Sequence, residues 1–133
     1  MLRVVLLILL LIAPGVANSQ TQLIRLQCKG VLNLPEQNIP EADVPSLNLS
    51  IDLNAGTVKG FGIPVDTVFV GKTTESLITF AARYQGPTGD QREASGSISR
   101  TTGQTMLFWS QLSDPNKGLG VYRLTCTPAR QLF

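Results

Sequence analysis

A chain of 133 residues with 43% hydrophobic side chains is long enough for one domain around one core. Its 11 basic and 9 acidic side chains nearly balance, and the basic ones are scattered singly, which excludes a strongly electrostatic partner such as nucleic acid or an anionic membrane. No histidine is present, and this removes Ser-His-Asp and Cys-His hydrolases together with histidine-ligated metals.

Residues 1–19 read as a secretory signal peptide. Arg3 supplies the positive start, 4–12 is an unbroken apolar run too short to span a bilayer, and Pro14 and Gly15 break it. Ala17 and Ser19 place small residues for a cut before Gln20; a cut after Ala17 is the alternative. Cys28 follows Arg25, Leu26 and Gln27, which are not the small residues of a lipobox. The expected product is a periplasmic or secreted single β-domain over 20–133, with no transmembrane segment in the mature chain.

Within 20–133, Val, Ile, Thr, Leu and aromatic residues alternate with polar ones, and Gly or Pro interrupts them at short intervals. The first strand covers 23–33, with Ile24, Leu26, Cys28 and Leu32 on one face and Arg25, Gln27 and Lys29 on the other. A loop rich in Pro, Glu and Asn is expected over 34–45. Leu47, Leu49, Ile51 and Leu53 then alternate with Asn48, Ser50 and Asp52, up to a tight hairpin at Asn54-Ala55-Gly56. A strand over 57–63 carries Gly60 and Gly62, which suggest a bulge or strong coiling. Strands over 65–70 and 76–84 are joined around Gly71-Lys72-Thr73-Thr74, and 85–92 reads as a polar loop. Strands over 93–100 and 104–112 flank the turn Thr101-Thr102-Gly103, 113–118 is a loop with the turn signal Asp-Pro-Asn, and 119–127 is the last strand before a tail.

This predicts an all-β fold: an antiparallel meander of about eight strands, because every connection is too short for a parallel crossover. Cys28 lies in the first strand and Cys126 in the last, about 98 positions apart. Two cysteines in an exported chain point to one structural disulfide, which brings the terminal strands together and favours a small closed barrel, or a sandwich whose terminal strands pair, over an open sheet. Such a barrel is filled by its side chains or holds one small ligand. The spacing is not that of a redox Cys-x-x-Cys pair, and zinc needs further Cys or His ligands that the chain lacks, so no cofactor or metal is expected.

No catalytic residues stand out. Asp52, Asp66, Glu75, Asp90, Glu93 and Asp114 read as solvated surface charges, and no Ser-x-x-Lys spacing occurs, so a non-enzymatic protein is expected. Met106-Leu107-Phe108-Trp109 puts large apolar groups on both faces of one strand, which fits a doubly covered core strand or a ligand mouth. Tyr84, Trp109 and Tyr122 are the candidate binding residues. Arg100, directly before a turn, is expected to fix the hairpin through backbone carbonyls or to pair with a nearby acid. The polar tail, with Pro128, Arg130 and Gln131 before Phe133, lacks the alternation of the last strand of an outer-membrane barrel.

Several segments resemble a set of small secreted alpha-proteobacterial proteins of unknown function: Leu-Gln-Cys-Lys-Gly at 26–30, Leu-Ser-Ile-Asp-Leu at 49–53, Val-Lys-Gly-Phe-Gly at 58–62, Ser-Gly-Ser-Ile-Ser-Arg-Thr-Thr-Gly at 95–103, and 124–133. The resemblance implies export and a β fold. Phe108-Trp109-Ser110, upstream of the last-strand cysteine, is similar to a stretch in the periplasmic inhibitors of C-type lysozyme. Their Ser-Gly-x-x-Tyr loop has no counterpart, since Ser95-Gly96 leads into Ser97 and Ile98. The expected function is a binding or envelope-associated module. Its alternatives are an inhibitor of an extracytoplasmic enzyme such as lysozyme, with a protein partner, and a barrel for a small apolar ligand.

Overall fold

The computed structural model describes residues 23–129; the signal peptide expected at 1–19 and the tail from 130 to 133 lie outside the described residues. Eight antiparallel strands follow one another around a closed barrel: β1 (Leu23–Leu34), β2 (Ile39–Asp52), β3 (Thr57–Lys59), β4 (Thr67–Thr73), β5 (Leu77–Gln85), β6 (Gln91–Ser99), β7 (Gln104–Gln111) and β8 (Asp114–Pro128). A 3-10 turn, Pro35–Gln37, joins β1 to β2. The all-β meander, its closure and its terminal disulfide are as the sequence predicts.

Closure is made by β1 and β8, which pair from Leu26↔Pro128 to Asn33↔Val121. Cys28 and Cys126 face each other in this ladder with Cα atoms 4.0 Å apart and form a disulfide across it. Both are buried among the core side chains. Alternation sorts the rest. Ile24, Leu26, Leu49, Ile51, Ile78, Phe80, Ile98, Leu107, Trp109, Tyr122 and Leu124 belong to the interior, while Arg25, Gln27, Lys29, Arg83 and Arg123 are exposed. Among the described residues no helix is long and apolar enough to cross a membrane.

The interior is packed by matching large groups to small ones. Inward-facing Ala82, Ala94, Trp109 and Gly120 lie in one row across β5 to β8, and a side chain on Gly120 would collide with the indole. Trp109 and Tyr122 have ring centroids 5.7 Å apart, and Phe61 lies 5.9 Å from Tyr122 and 5.7 Å from Phe80.

Three expected loops or strands are corrected. The loop over 34–45 is mostly strand, since β2 starts at Ile39. The two prolines of β2 lie in bulges: Pro45 and Ser46 stand opposite Lys29, and Pro40 and Glu41 opposite Asn33. This half of β2 has no ladder to β3, which pairs only from Ser50 to Asp52, so the missing proline N–H groups cost no ladder bond there. The loop over 113–118 likewise belongs to β8, with Pro115, Asn116 and Lys117 bulged between the pairs Gln111↔Asp114 and Ser110↔Gly118.

In the other direction, the strand expected over 57–63 stops at Lys59. Gly60 takes a φ of 115°, open to glycine and strained for other residues, and its N–H donates to the Asp66 carbonyl at 3.0 Å. The turn sends Phe61 into the barrel, where it is 2% exposed and its carbonyl accepts a 3.1 Å hydrogen bond from the Tyr122 hydroxyl. Burial pushes the Tyr122 phenol above its ordinary pKa, so this donor stays protonated.

Two outcomes follow. Replacing Cys28 and Cys126 together by Ser lowers unfolding stability by about 2–4 kcal/mol, read from urea midpoints against the oxidised protein. Phe61→Ala, which empties the centre of the aromatic group, costs about 3–5 kcal/mol in the same measurement.

Candidate functional site

The strand ends divide the barrel interior into two unlike halves. At the end where the β5–β6 and β7–β8 hairpins turn, the aromatic group of Phe61, Phe80, Trp109 and Tyr122 fills the space above the middle of the strands. At the opposite end β1 begins, β8 finishes and the β6–β7 hairpin turns. There the inward side chains are aliphatic: Ile24 of β1 pairs with Ile51 of β2, and Ile78 of β5 with Ile98 of β6. None of these reaches across to replace an aromatic ring, and a cavity of about 460 Å³ remains. Ile24, Leu26, Ile51, Ile78 and Ile98 line it, with Cys126 in its wall. Its rim is the hairpin from Ser99 to Gly103 on one side and Thr127 and Pro128 on the other. The result is an aliphatic cup with a mixed polar rim, in the size range of small-molecule sites.

The rim hairpin is held by its own polar groups. Gly103 takes a φ of 75° and donates to the Ser99 carbonyl at 2.9 Å, while the Thr102 N–H donates to Ser99 Oγ at 3.2 Å. The Cys126 N–H donates to the Gly103 carbonyl at 2.8 Å, so the hairpin is bonded to the disulfide residue itself. Thr105 Oγ1 lies 3.2 Å from Cys126 Sγ and donates to the Gly103 carbonyl at 3.2 Å.

Arg100 braces the rim against the neighbouring turn. Its backbone N–H donates to the Ser76 carbonyl at 2.8 Å and its Nη1 to the Thr74 carbonyl at 2.8 Å. The expected hairpin role is thus carried out between hairpins, on the β4–β5 turn rather than on its own. The side chain is exposed, and among the described residues no carboxylate stands within ion-pair distance of it.

The three sequence candidates lie elsewhere. Trp109 of β7 and Tyr122 of β8 are each 4% exposed and touch each other in the aromatic half. Tyr84 of β5 is half-buried against the same core, opposite Arg92 in the β5–β6 ladder. None of the three lines the cup. Met106 and Phe108, whose face was open to two readings, are 48% and 36% exposed, so the outer face of β7 is not covered. A second depression of about 510 Å³ lies beside Met106, with Leu77, Ser97, Ser99 and Arg123 around it; it is more open than the cup.

One acid is not the plain surface charge its sequence context suggests. Asp90, in the β5–β6 turn, accepts from Arg92 Nε at 2.7 Å and Gln111 Nε2 at 3.1 Å on Oδ2, and from Thr88 Oγ1 at 2.7 Å on Oδ1. The Arg92 guanidinium, then the Thr88 hydroxyl, hold its carboxyl well below the usual carboxylate range. Asp52 has a local task, accepting the N–H groups of Asn54 and Ala55 at 3.0 and 2.9 Å to shape the β2–β3 turn. Among the described residues no three Cys, Asp or Glu side chains gather to hold a metal ion.

No protein-family model, curated protein or solved structure matches this chain. What the cup residues do therefore rests on their geometry. Sequence alternation marks Ile24, Leu26, Ile51, Ile78 and Ile98 as inward-facing, but does not say that their layer is left unfilled.

Because the folded Asp90 value is depressed, its contribution to the hairpin is complete above the ordinary carboxylate pKa and is lost only as pH falls through the lower, folded value. A carboxyl NMR titration is expected to show no Asp90 inflection between about pH 3 and 5, where an unpaired aspartate titrates. Asp90→Asn should speed amide exchange of Gly86, whose N–H bonds the residue 90 carbonyl, at neutral pH.

Proposed function

We propose that this protein is an exported, non-enzymatic binding module that shelters a small apolar molecule in the cup at the β6–β7 end of the barrel. One observation carries the reading: five inward aliphatic side chains form the floor of a depression of about 460 Å³ at this end of the barrel, while four aromatic side chains pack together toward the other. Filling such a preformed apolar space removes ligand surface from water without first opening the core. Export rests on the signal-like residues 1–19 and fits the disulfide, which persists in oxidising compartments such as the periplasm or the extracellular space.

The test is methyl NMR on the purified exported protein titrated with decanol. Saturable shifts are expected at the methyl groups of Ile24, Ile51, Ile78 and Ile98, with the Trp109 indole little changed. Ile24→Trp, at the half-buried mouth, should weaken binding at least tenfold by filling the space. Shifts absent from these methyls, or an affinity indifferent to Ile24→Trp, would overturn the reading.

A further inference from the structure

We infer that the cup's occupant is an amphipath with a carboxylate head, of the fatty-acid type, seated with its chain on the isoleucines and its head on Arg100. This rests on the cup reading above and adds the chemistry of the ligand's polar end. Three observations support it.

First, the cup has a direction. Its floor is aliphatic and its polar groups are confined to the rim hairpin, Ser99 to Thr102, and to Thr127. A molecule that is apolar throughout leaves that rim unused, whereas an amphipath keeps its head in water while its chain is buried. Second, the rim has a sign. Among the described residues Arg100 is the one charged residue lining the cup, and no acid lines it. A cationic head meets repulsion there, and a neutral one gains no charge-assisted bond.

Third, Arg100 is held in place but not saturated. One guanidinium nitrogen, Nη1, is fixed on the Thr74 carbonyl at 2.8 Å. A guanidinium carries five N–H donors in a planar fork, and among the described residues no carboxylate takes the others. The brace removes much of the side-chain freedom that docking otherwise costs, leaving the remaining edge for a two-oxygen acceptor. Thr101 and Thr102 place hydroxyl groups on the same turn.

The experiment compares decanoate, decanol and decyltrimethylammonium by calorimetry at pH 8, all below micelle formation, on the oxidised exported protein. Decanoate is expected to bind about tenfold more tightly than decanol, as one charge-assisted hydrogen-bonded contact at a partly exposed site allows, and the cation most weakly. The advantage of decanoate should shrink as salt is raised. Arg100→Gln should make decanoate and decanol bind equally, and Arg100→Lys should restore part of the difference. Equal binding of decanoate and decanol by the unaltered protein overturns the inference and leaves the cup reading standing. A preference for decanoate that survives Arg100→Gln, or an equal loss of both ligands in that variant, also overturns it, because Arg100 then does not hold the carboxylate. Failure of all three compounds to bind removes the cup reading itself.

Discussion

The pairing of β1 with β8 is the constraint on which the rest depends. A meander of eight strands left open exposes two edges and encloses nothing. Joined along the ladder from Leu26 to Asn33, the same strands enclose an interior, and every second side chain acquires a defined place in it. The Cys28–Cys126 bond lies inside this ladder and links positions 98 apart in sequence. It restricts the unfolded chain at the contact with the largest loop-closure cost among the strand pairs. The ladder supplies local hydrogen bonding, and the disulfide makes the long-range contact cheap to keep.

Closure is much less continuous on the opposite side. β3 has three residues and pairs with each neighbour over that length alone, so the wall between the upper part of β2 and β4 is not completed by strand ladders. The chain between Lys59 and Thr67 solves this by turning a side chain inward instead of extending the sheet. Phe61 enters the interior through the turn at Gly60, and Tyr122 fastens its carbonyl from across the barrel. The aromatic half of the interior is therefore assembled from one loop residue and three strand residues. That local solution does not extend to the other end, where the interior is lined by branched aliphatic side chains and stays partly empty.

These features were unequally visible in the sequence. The alternation of β1, β5 and β7, the turns at 54–56 and 101–103, and closure through the cysteines follow from period, turn chemistry and disulfide reach. Pro40, Pro45 and Pro115 misdirect the reading because proline is a loop signal only where a ladder needs its N–H. Here each lies in a bulge on a stretch of strand with one paired side. Phe61 sits between two glycines that read as a strand irregularity, and its inward turn depends on space supplied by strands far along the chain. Asp90 shows the same limit. Its partner Arg92 is near in sequence, but Gln111 reaches it only through the β6–β7 register. Whether an interior layer is filled depends on the sum of side chains from several strands, and no single strand's pattern contains that sum. Arg100 was legible as a turn-bracing residue, but its place on the rim of a cavity was not.

The cup and the closure are not separate devices. Cys126 is half of the bond that ties β8 to β1, lines the cup wall, and donates its N–H to Gly103 at the rim. The rim hairpin is held from its other side by Arg100, which reaches the turn between β4 and β5. The hairpin is thus fastened on two sides, to β8 of the closing ladder and to the neighbouring turn between β4 and β5. The strand that closes the sheet into a barrel thus also carries part of the cup's wall and one of the bonds that fasten its rim.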